Sequence, residues 1–342
     1  MANDCNTNME TTLTHTQAAA LVSGADVPAV VEMFTASQDR KATTRDLYAR
    51  TVSAFFAWVA ASGRTISRLT VADIIAYKEQ LTREGKTALT VASYVNSIRR
   101  FYVWTEANKI YPNIAADVHA PKRQQEFKKR PLSVRKVGEL LAYASTMTAR
   151  DYAIINLMAR TGLRCVEVVR ANIGDIVYMG EDNARVLLVQ GKGRDEKDDF
   201  VILTDAAYNP IRDYLNAERK GEPSTAPLFA STSNHTGKAE NHEHDTDFAP
   251  RRLSTRAVSQ IAKKGLQAVG LNDKAFTAHS LRHTVGTNIL RAGGTLEQAQ
   301  MTLRHANPAT TEIYARMALK ERRFTDGGED IIDRAYNAVI NQ

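Results

Sequence analysis

The run Ala278-His279-Ser280-Leu281-Arg282-His283-Thr284, followed by Leu303-Arg304-His305 and Thr310-Thr311-Glu312-Ile313-Tyr314, decides how this chain reads. Its first part has helical character. His279 and Arg282 stand three residues apart, so the spacing predicts that their side chains share one helix face and grip one anion. Tyr314, a candidate hydroxyl nucleophile, follows at short range. Two upstream stretches belong with this one. Thr161-Gly162-Leu163-Arg164 adds a second basic group, and Gly191-Lys192-Gly193 places a lysine in a turn between two apolar runs.

The chain has 342 residues, which suits one to three domains, and 43% hydrophobic residues are enough to bury a core. Lys and Arg number 45 against 38 Asp and Glu, a balance that permits a polyanionic partner without requiring one. Cys5 and Cys165 alone cannot make a disulfide framework, and a reducing cytoplasm fits. No apolar run is long enough to span a membrane, and Met1 to Asn8 lacks the order of a signal peptide, so no membrane partner is expected.

Outward from the deciding stretch, residues 1–26 are rich in Thr, Asn and Ala and read as a flexible arm. Residues 27–120 are helical throughout. Tyr48, Val52, Phe55 and Val59 form one stripe, Thr70 and Asp73 start a second helix in the manner of a capping box, and Val91, Val95, Ile98 and Tyr102 form another stripe. The result is a four- or five-helix bundle. Residues 121–131, bracketed by Pro121 and Pro131, read as a basic linker carrying Lys122, Arg123, Lys128, Lys129 and Arg130.

Residues 132–325 form a second, α+β domain. Ser133 caps its first helix, a helix runs from Tyr152 to Arg160, and Arg185–Val189 with Phe200–Leu203 predict a hairpin or small sheet. Asp205–Arg219, Thr255–Gly270 and Thr277–Ala318 read as helix. Residues 231–250 look like a polar insertion, and the spacing of His235, His242 and His244 does not suit a helix-borne metal site. Residues 326–342 add a hinge-like Asp326-Gly327-Gly328 and an amphipathic tail.

Together these motifs resemble the tyrosine recombinase family, the phage integrases and their Xer-like relatives, over most of the chain. The family order Arg, Lys, His-x-x-Arg, His, Tyr falls on Arg164, Lys192, His279, Arg282, His305 and Tyr314. The resemblance implies a mostly α fold with a small β-sheet: a helical core-binding bundle and a catalytic domain closing as a C-shaped clamp on DNA. It implies that Tyr314 attacks a phosphodiester, that Arg164 and Arg282 hold its non-bridging oxygens, and that Lys192 protonates the 5′ leaving oxygen. His279 would accept the tyrosine proton or hold an oxygen, His305 would donate to the phosphate, and Glu167 would orient Arg164. His283 is assigned to packing. The tyrosyl ester stores the bond energy, so neither a metal nor another cofactor is called for.

The resemblance also reads the bundle's outward residues Lys41, Arg45, Lys86, Asn96, Arg99 and Arg100, and the linker cations, as phosphate contacts on double-stranded DNA. It implies a homotetramer on two DNA sites, joined by exchanged tail helices and open to accessory DNA-bending proteins. The loose arm is too short for an extra arm-binding domain. One residue departs from the family: Arg304 stands where Leu-Gly-His is usual, which puts the helix boundary in question or adds a phosphate contact. The expected function is recombination through a 3′-phosphotyrosine and a Holliday junction, for integration or excision of a mobile element. The alternatives are chromosome dimer resolution or DNA inversion by the same chemistry, a type IB topoisomerase, and a DNA-binding relative without chemistry.

Overall fold

Apolar stripes at helical spacing build the first of two compact units, residues 1–126 and 127–342. The computed structural model describes residues 26–121, 130–191, 194, 196–231, 252–305, 307, 311–312, 314–316, 318, 332–334 and 336–337. The arm before residue 26, Lys122, Arg123, Lys128, Lys129, Lys192 and the histidines of the insertion lie outside the described residues.

The first unit contains α1 (Val27–Ala36), α2 (Ala42–Ala61), α3 (Val71–Arg83) and α4 (Ala88–Ala107). Val52, Phe55 and Val59 are fully buried, and Tyr48 is half-buried at the end of the same stripe. Phe34, Phe56, Phe101 and Trp104 close the core with rings at tilted and edge-on angles. Each large side chain removed from water in this way contributes about 1.5–3 kcal/mol. The start of α3 is held by Asp73, whose carboxylate accepts the Thr70 N–H at 2.8 Å and the Thr70 hydroxyl at 2.9 Å.

The second unit runs α5 (Val134–Ala144), α6 (Ala149–Thr161) and α7 (Cys165–Arg170), then strands β1 (Ile176–Met179), β2 (Ala184–Val189) and β3 (Asp199–Ile202). It continues with α8 (Asp205–Glu218), α9 (Thr255–Ala268), α10 (Ala278–Arg291) and α11 (Leu296–Leu303). The Ser133 hydroxyl accepts the Lys136 N–H at 3.2 Å and so caps α5. α6 is central: it packs against α5, α8, α9 and α10, with Ile154, Ile155, Leu157 and Met158 fully buried.

The sheet is antiparallel in the order β1-β2-β3, with Ile176 opposite Leu187 and Leu187 opposite Val201. It therefore has a strand more than the two β-branched runs predict. β1 is only four residues long and half exposed, so pairing with β2 specifies it more than its own pattern does. The expected helix over Thr277–Ala318 is also corrected. It breaks between Arg291 and Leu296, where Gly293 takes φ 90, and again at Arg304.

Candidate active site

α6 ends at Gly162 in the left-handed region, φ 65 and ψ 22. A Cβ there would lie 2.6 Å from Leu303 Cδ2, so glycine serves both the backbone conformation and the close approach of α11. Leu163 is buried, and Arg164 becomes the N-cap of α7 with Glu167 at its third position. Glu167 reaches back along the turn: Oε2 accepts the Arg164 N–H at 2.7 Å, and Oε1 accepts Arg164 Nη1 at 2.7 Å.

The Glu167 side chain is only 1% exposed, so it is not a solvated helix charge. Burial raises its pKa, but the Arg304 cation, the Arg164 N–H and the Arg164 and Arg282 guanidinium groups outweigh burial and leave it below the usual carboxylate value. It is a buried anion that holds Arg164 in place.

Arg282 corrects an expectation. It does not display its guanidinium beside His279 on an open helix face; it is 1% exposed, whereas His279 is exposed. Arg282 Nη1 donates to the Gly162 carbonyl at 2.7 Å, and Nη2 donates to the Leu303 carbonyl. Both carbonyls lie at helix C-terminal ends, where orphan acceptors and the negative end of the helix dipole favour a cation. One guanidinium thus ties the ends of α6 and α11 to the middle of α10. Burial, then the neighbouring Arg164 charge, lower its pKa to about 10, which leaves it charged at neutral pH.

Arg304 keeps the tight turn without glycine. It caps α11 at φ 54 and ψ 50, and its side chain, 5% exposed, donates from Nη2 to Glu167 Oε2 at 3.0 Å. The helix boundary therefore falls at Leu303, and the side chain goes to a carboxylate. His305 follows, buried, with Nδ1 and the Thr311 hydroxyl 2.9 Å apart. Burial, then Arg282 and Arg164, push its pKa down to about 4, so the imidazole is neutral at pH 7.

Tyr314 stacks on His305 with ring centroids 5.9 Å apart and meets the His283 ring edge-on at 5.2 Å. His283 in turn meets His279 at 4.6 Å, so its packing links the exposed histidine to the phenol. The Tyr314 ring is 1% exposed and fits against Gly286, where a Cβ would stand 2.9 Å from its Cδ2. Burial raises its pKa, and Arg282 and Arg164 act against that rise. The phenol is thus stored under cover, close enough to both arginines for their charge to act on it. A cavity of about 510 Å³ adjoins Arg304 and His305, with Asp199 and Glu297 also in its wall, so it is not a purely cationic socket.

Two cations near the Gly191-Lys192-Gly193 stretch, Lys197 and Arg194, are paired with carboxylates. Lys197 Nζ bonds Asp175 at 2.5 Å, and Arg194 pairs with Asp198. In the first unit Lys41, Lys86, Asn96, Arg99 and Arg100 are exposed and Arg45 is half-buried; Arg130 is exposed as well. Lys86 lies 3.5 Å from Glu84, and Arg100 Nε donates to Gln38 Oε1 at 2.8 Å, so these two also brace their own unit. Sequence reasoning missed Thr311 as the partner of His305 and Arg304 as the partner of Glu167. Only the fold brings Arg304 and Glu167 together.

The site thus holds a buried carboxylate aligning one guanidinium, a second buried guanidinium, a neutral imidazole and a covered phenol: fixed positive charge and a hydroxyl of the kind that can serve as a nucleophile. The family model described as "Phage integrase family" matches residues 131–321, and "Phage integrase, N-terminal SAM-like domain" matches residues 33–109. The chain belongs to the phage integrase family, and its activity is that of a tyrosine recombinase, site-specific recombination of DNA.

A curated relative, tyrosine recombinase XerD of Rhizobium meliloti, is 26% identical over 312 residues, covering 88% of this chain and 93% of its own. Among solved structures, XerH site-specific recombinase bound to palindromic difH substrate aligns with a TM-score of 0.65 at 17% identity, over 82% of this chain and 78% of that one. A lambda integrase tetramer bound to a Holliday junction aligns with a TM-score of 0.59 at 16% identity, over 84% and 76%. These two alignments show the shared fold.

Proposed function

We propose that this chain cleaves and rejoins duplex DNA through an ester between Tyr314 and a 3′ phosphate. The tyrosine oxygen bonds to phosphorus, the bond to the 5′ oxygen breaks, and the 5′ hydroxyl of another strand reverses the step. Arg164 and Arg282 hold the non-bridging oxygens, and His305 donates a hydrogen bond to the phosphate. Lys192 protonates the leaving oxygen, and His279 takes up the phenol proton or binds an oxygen. The observation that carries this reading is geometric: Arg282 bonds the Gly162 carbonyl two residues before Arg164, Glu167 holds Arg164, and Tyr314 packs on Gly286, one turn along the helix from Arg282. Because Tyr314 is covered, attack requires its ring to leave the packing around Gly286.

In this reading the helical unit and the catalytic unit close as a clamp on DNA, with Lys41, Arg45, Lys86, Arg99, Arg100 and the linker cations on phosphates. Four protomers hold two sites and pass through a Holliday junction, the arrangement named for lambda integrase. Ile332 and Tyr336, four residues apart on the helical tail and 50% and 65% exposed, are apolar groups that exchange between protomers would bury. The biological role we propose is integration or excision of a mobile element. The XerD name of the relative favours a second reading, chromosome dimer resolution.

Denaturing capture of protein-linked DNA after expression of the full chain, followed by sequencing, tests both. A covalent adduct is expected from the unaltered chain and none from Tyr314→Phe, with DNA binding retained. An adduct that survives Tyr314→Phe would remove the assigned nucleophile. Adducts at the ends of a mobile element support the first role, and adducts at a single chromosomal site support the second.

A further inference from the structure

Arg304 occupies a position that its backbone would give to glycine. A left-handed residue with a Cβ costs roughly 1–2 kcal/mol, and Arg304 stands at φ 54 and ψ 50. Its long cationic side chain is nevertheless almost wholly inside, 5% exposed. A buried guanidinium is tolerated only with acceptors, and it has them: Glu167 Oε2 at 3.0 Å and the Thr302 carbonyl at 3.1 Å, with Asp199 Oδ2 3.9 Å from Nε. Asp199 opens β3, paired with Val189 at the end of β2, so the side chain also ties the end of α11 to the sheet.

Glu167 thereby receives three donors on its two oxygens: the Arg164 N–H, Arg164 Nη1 and Arg304 Nη2. A phosphate arriving at Arg164 competes with Glu167 for the same guanidinium. A carboxylate held only by Arg164 would be free to follow that guanidinium or to turn away from it. One pinned from the far side by Arg304 keeps Oε1 fixed and leaves the rest of the Arg164 fork to a phosphate.

We infer that Arg304 is a positioning residue that anchors Glu167 so that Arg164 meets the scissile phosphate in a fixed orientation. This rests on the recombinase reading above. Arg304 acts through Glu167: its Nη2 is engaged by that carboxylate and its Nη1 by the Thr302 carbonyl. It differs from a merely structural ion pair in one respect: its value should depend on the charge of the phosphate that Arg164 has to hold.

The test is single-turnover cleavage of the duplex recovered by covalent capture, made either with its natural phosphodiester or with an uncharged methylphosphonate at the scissile position. Arg304→Gly suits the backbone, so it should fold and bind DNA like the unaltered chain. It should cleave the phosphodiester about 10-fold more slowly, the lower end of what loss of an outer-shell partner costs. On the methylphosphonate, which asks less of Arg164, the deficit should shrink to about twofold.

Arg304→Lys keeps the charge without the fork and should fall between the two. If Arg304→Gly does not fold, the same contrast in Arg304→Lys decides the matter. Equal rates for variant and unaltered chain, or an equal deficit on both substrates, would overturn the inference. Failure of the unaltered chain to form any adduct would overturn the recombinase reading and this inference with it.

Discussion

Among the described residues of the first unit the buried polar side chains are uncharged, Gln38, Thr51, Ser97 and Thr105 among Phe34, Phe55, Phe56, Phe101, Tyr102 and Trp104. Inside the second, the charged Glu167, Arg219 and Arg282 are buried close to an aliphatic core, together with the neutral His305. Desolvating a charge costs several kcal/mol, and an ion pair seldom returns more than that, so the charges of the second unit are poor stabilisers. Arg219 is satisfied by Glu222 and the Pro227 carbonyl, Arg282 by two helix-end carbonyls and Glu167 by Arg164 and Arg304, and Arg282 sits where the proposed chemistry needs fixed positive charge. The first unit is held together for stability; the second accepts a costlier interior around Tyr314.

The sharpest way to break this contrast is Phe55→Ala, which empties the aromatic core of the first unit and should cost about 3–5 kcal/mol. Both tryptophans, Trp58 and Trp104, lie in that unit, so their fluorescence in denaturant reports it alone. The fluorescence midpoint should fall while hydrogen exchange in α6 stays slow. Loss of protection in both units would show that they do not fold separately.

Acid comes next. The His305 pKa, about 4, lies below the ordinary imidazole value of 6.5, so between these pH values the unfolded chain binds a proton that the folded chain does not. Stability from this residue is complete above pH 6.5 and falls by about 3 kcal/mol as pH drops to 4. His305→Gln should flatten the slope measured by denaturant unfolding of the second unit.

The first unit offers the comparison. Burial raises the pKa of Asp73, but the Thr70 N–H and hydroxyl and the Arg64 guanidinium hold it below its usual 3.8. Its contribution is therefore present above pH 3.8 and lost only below that. The tryptophan-reported midpoint should thus stay level between pH 6.5 and 4, and a parallel fall in both units would remove His305 as the cause.

The smallest effect is expected from Gly286→Ala. The added Cβ would stand 2.7 Å from Leu303 Cδ1 and 2.9 Å from the Tyr314 ring. Overpacking of this kind costs about 1–3 kcal/mol, felt in the second unit and not in tryptophan fluorescence. An unchanged unfolding midpoint would mean that the Tyr314 ring moves aside freely.

Legibility differed with the range of the interactions. The stripes of α2 and α4, the Thr70–Asp73 start of α3 and the Ser133 cap of α5 are local, and each is readable over a few residues. The Arg164-x-x-Glu167 spacing is local too, and it gives both the start of α7 and the bond that aligns Arg164. β1 was not readable, because four residues with two exposed carry little pattern of their own. The inward turn of Arg282 was not readable either, since its acceptors, the Gly162 and Leu303 carbonyls, belong to other helices.

What the amino-acid sequence determined by itself is the class of chemistry and the helical periodicity, because side-chain types in order and apolar spacing are properties of the chain alone. Only the tertiary structure decided that Arg282 closes two helix ends, that Arg304 is spent on Glu167, and that Tyr314 is covered. The physical reason is that a buried charge goes to whatever acceptors the packed elements leave unsatisfied, and those are defined only after the elements have come together.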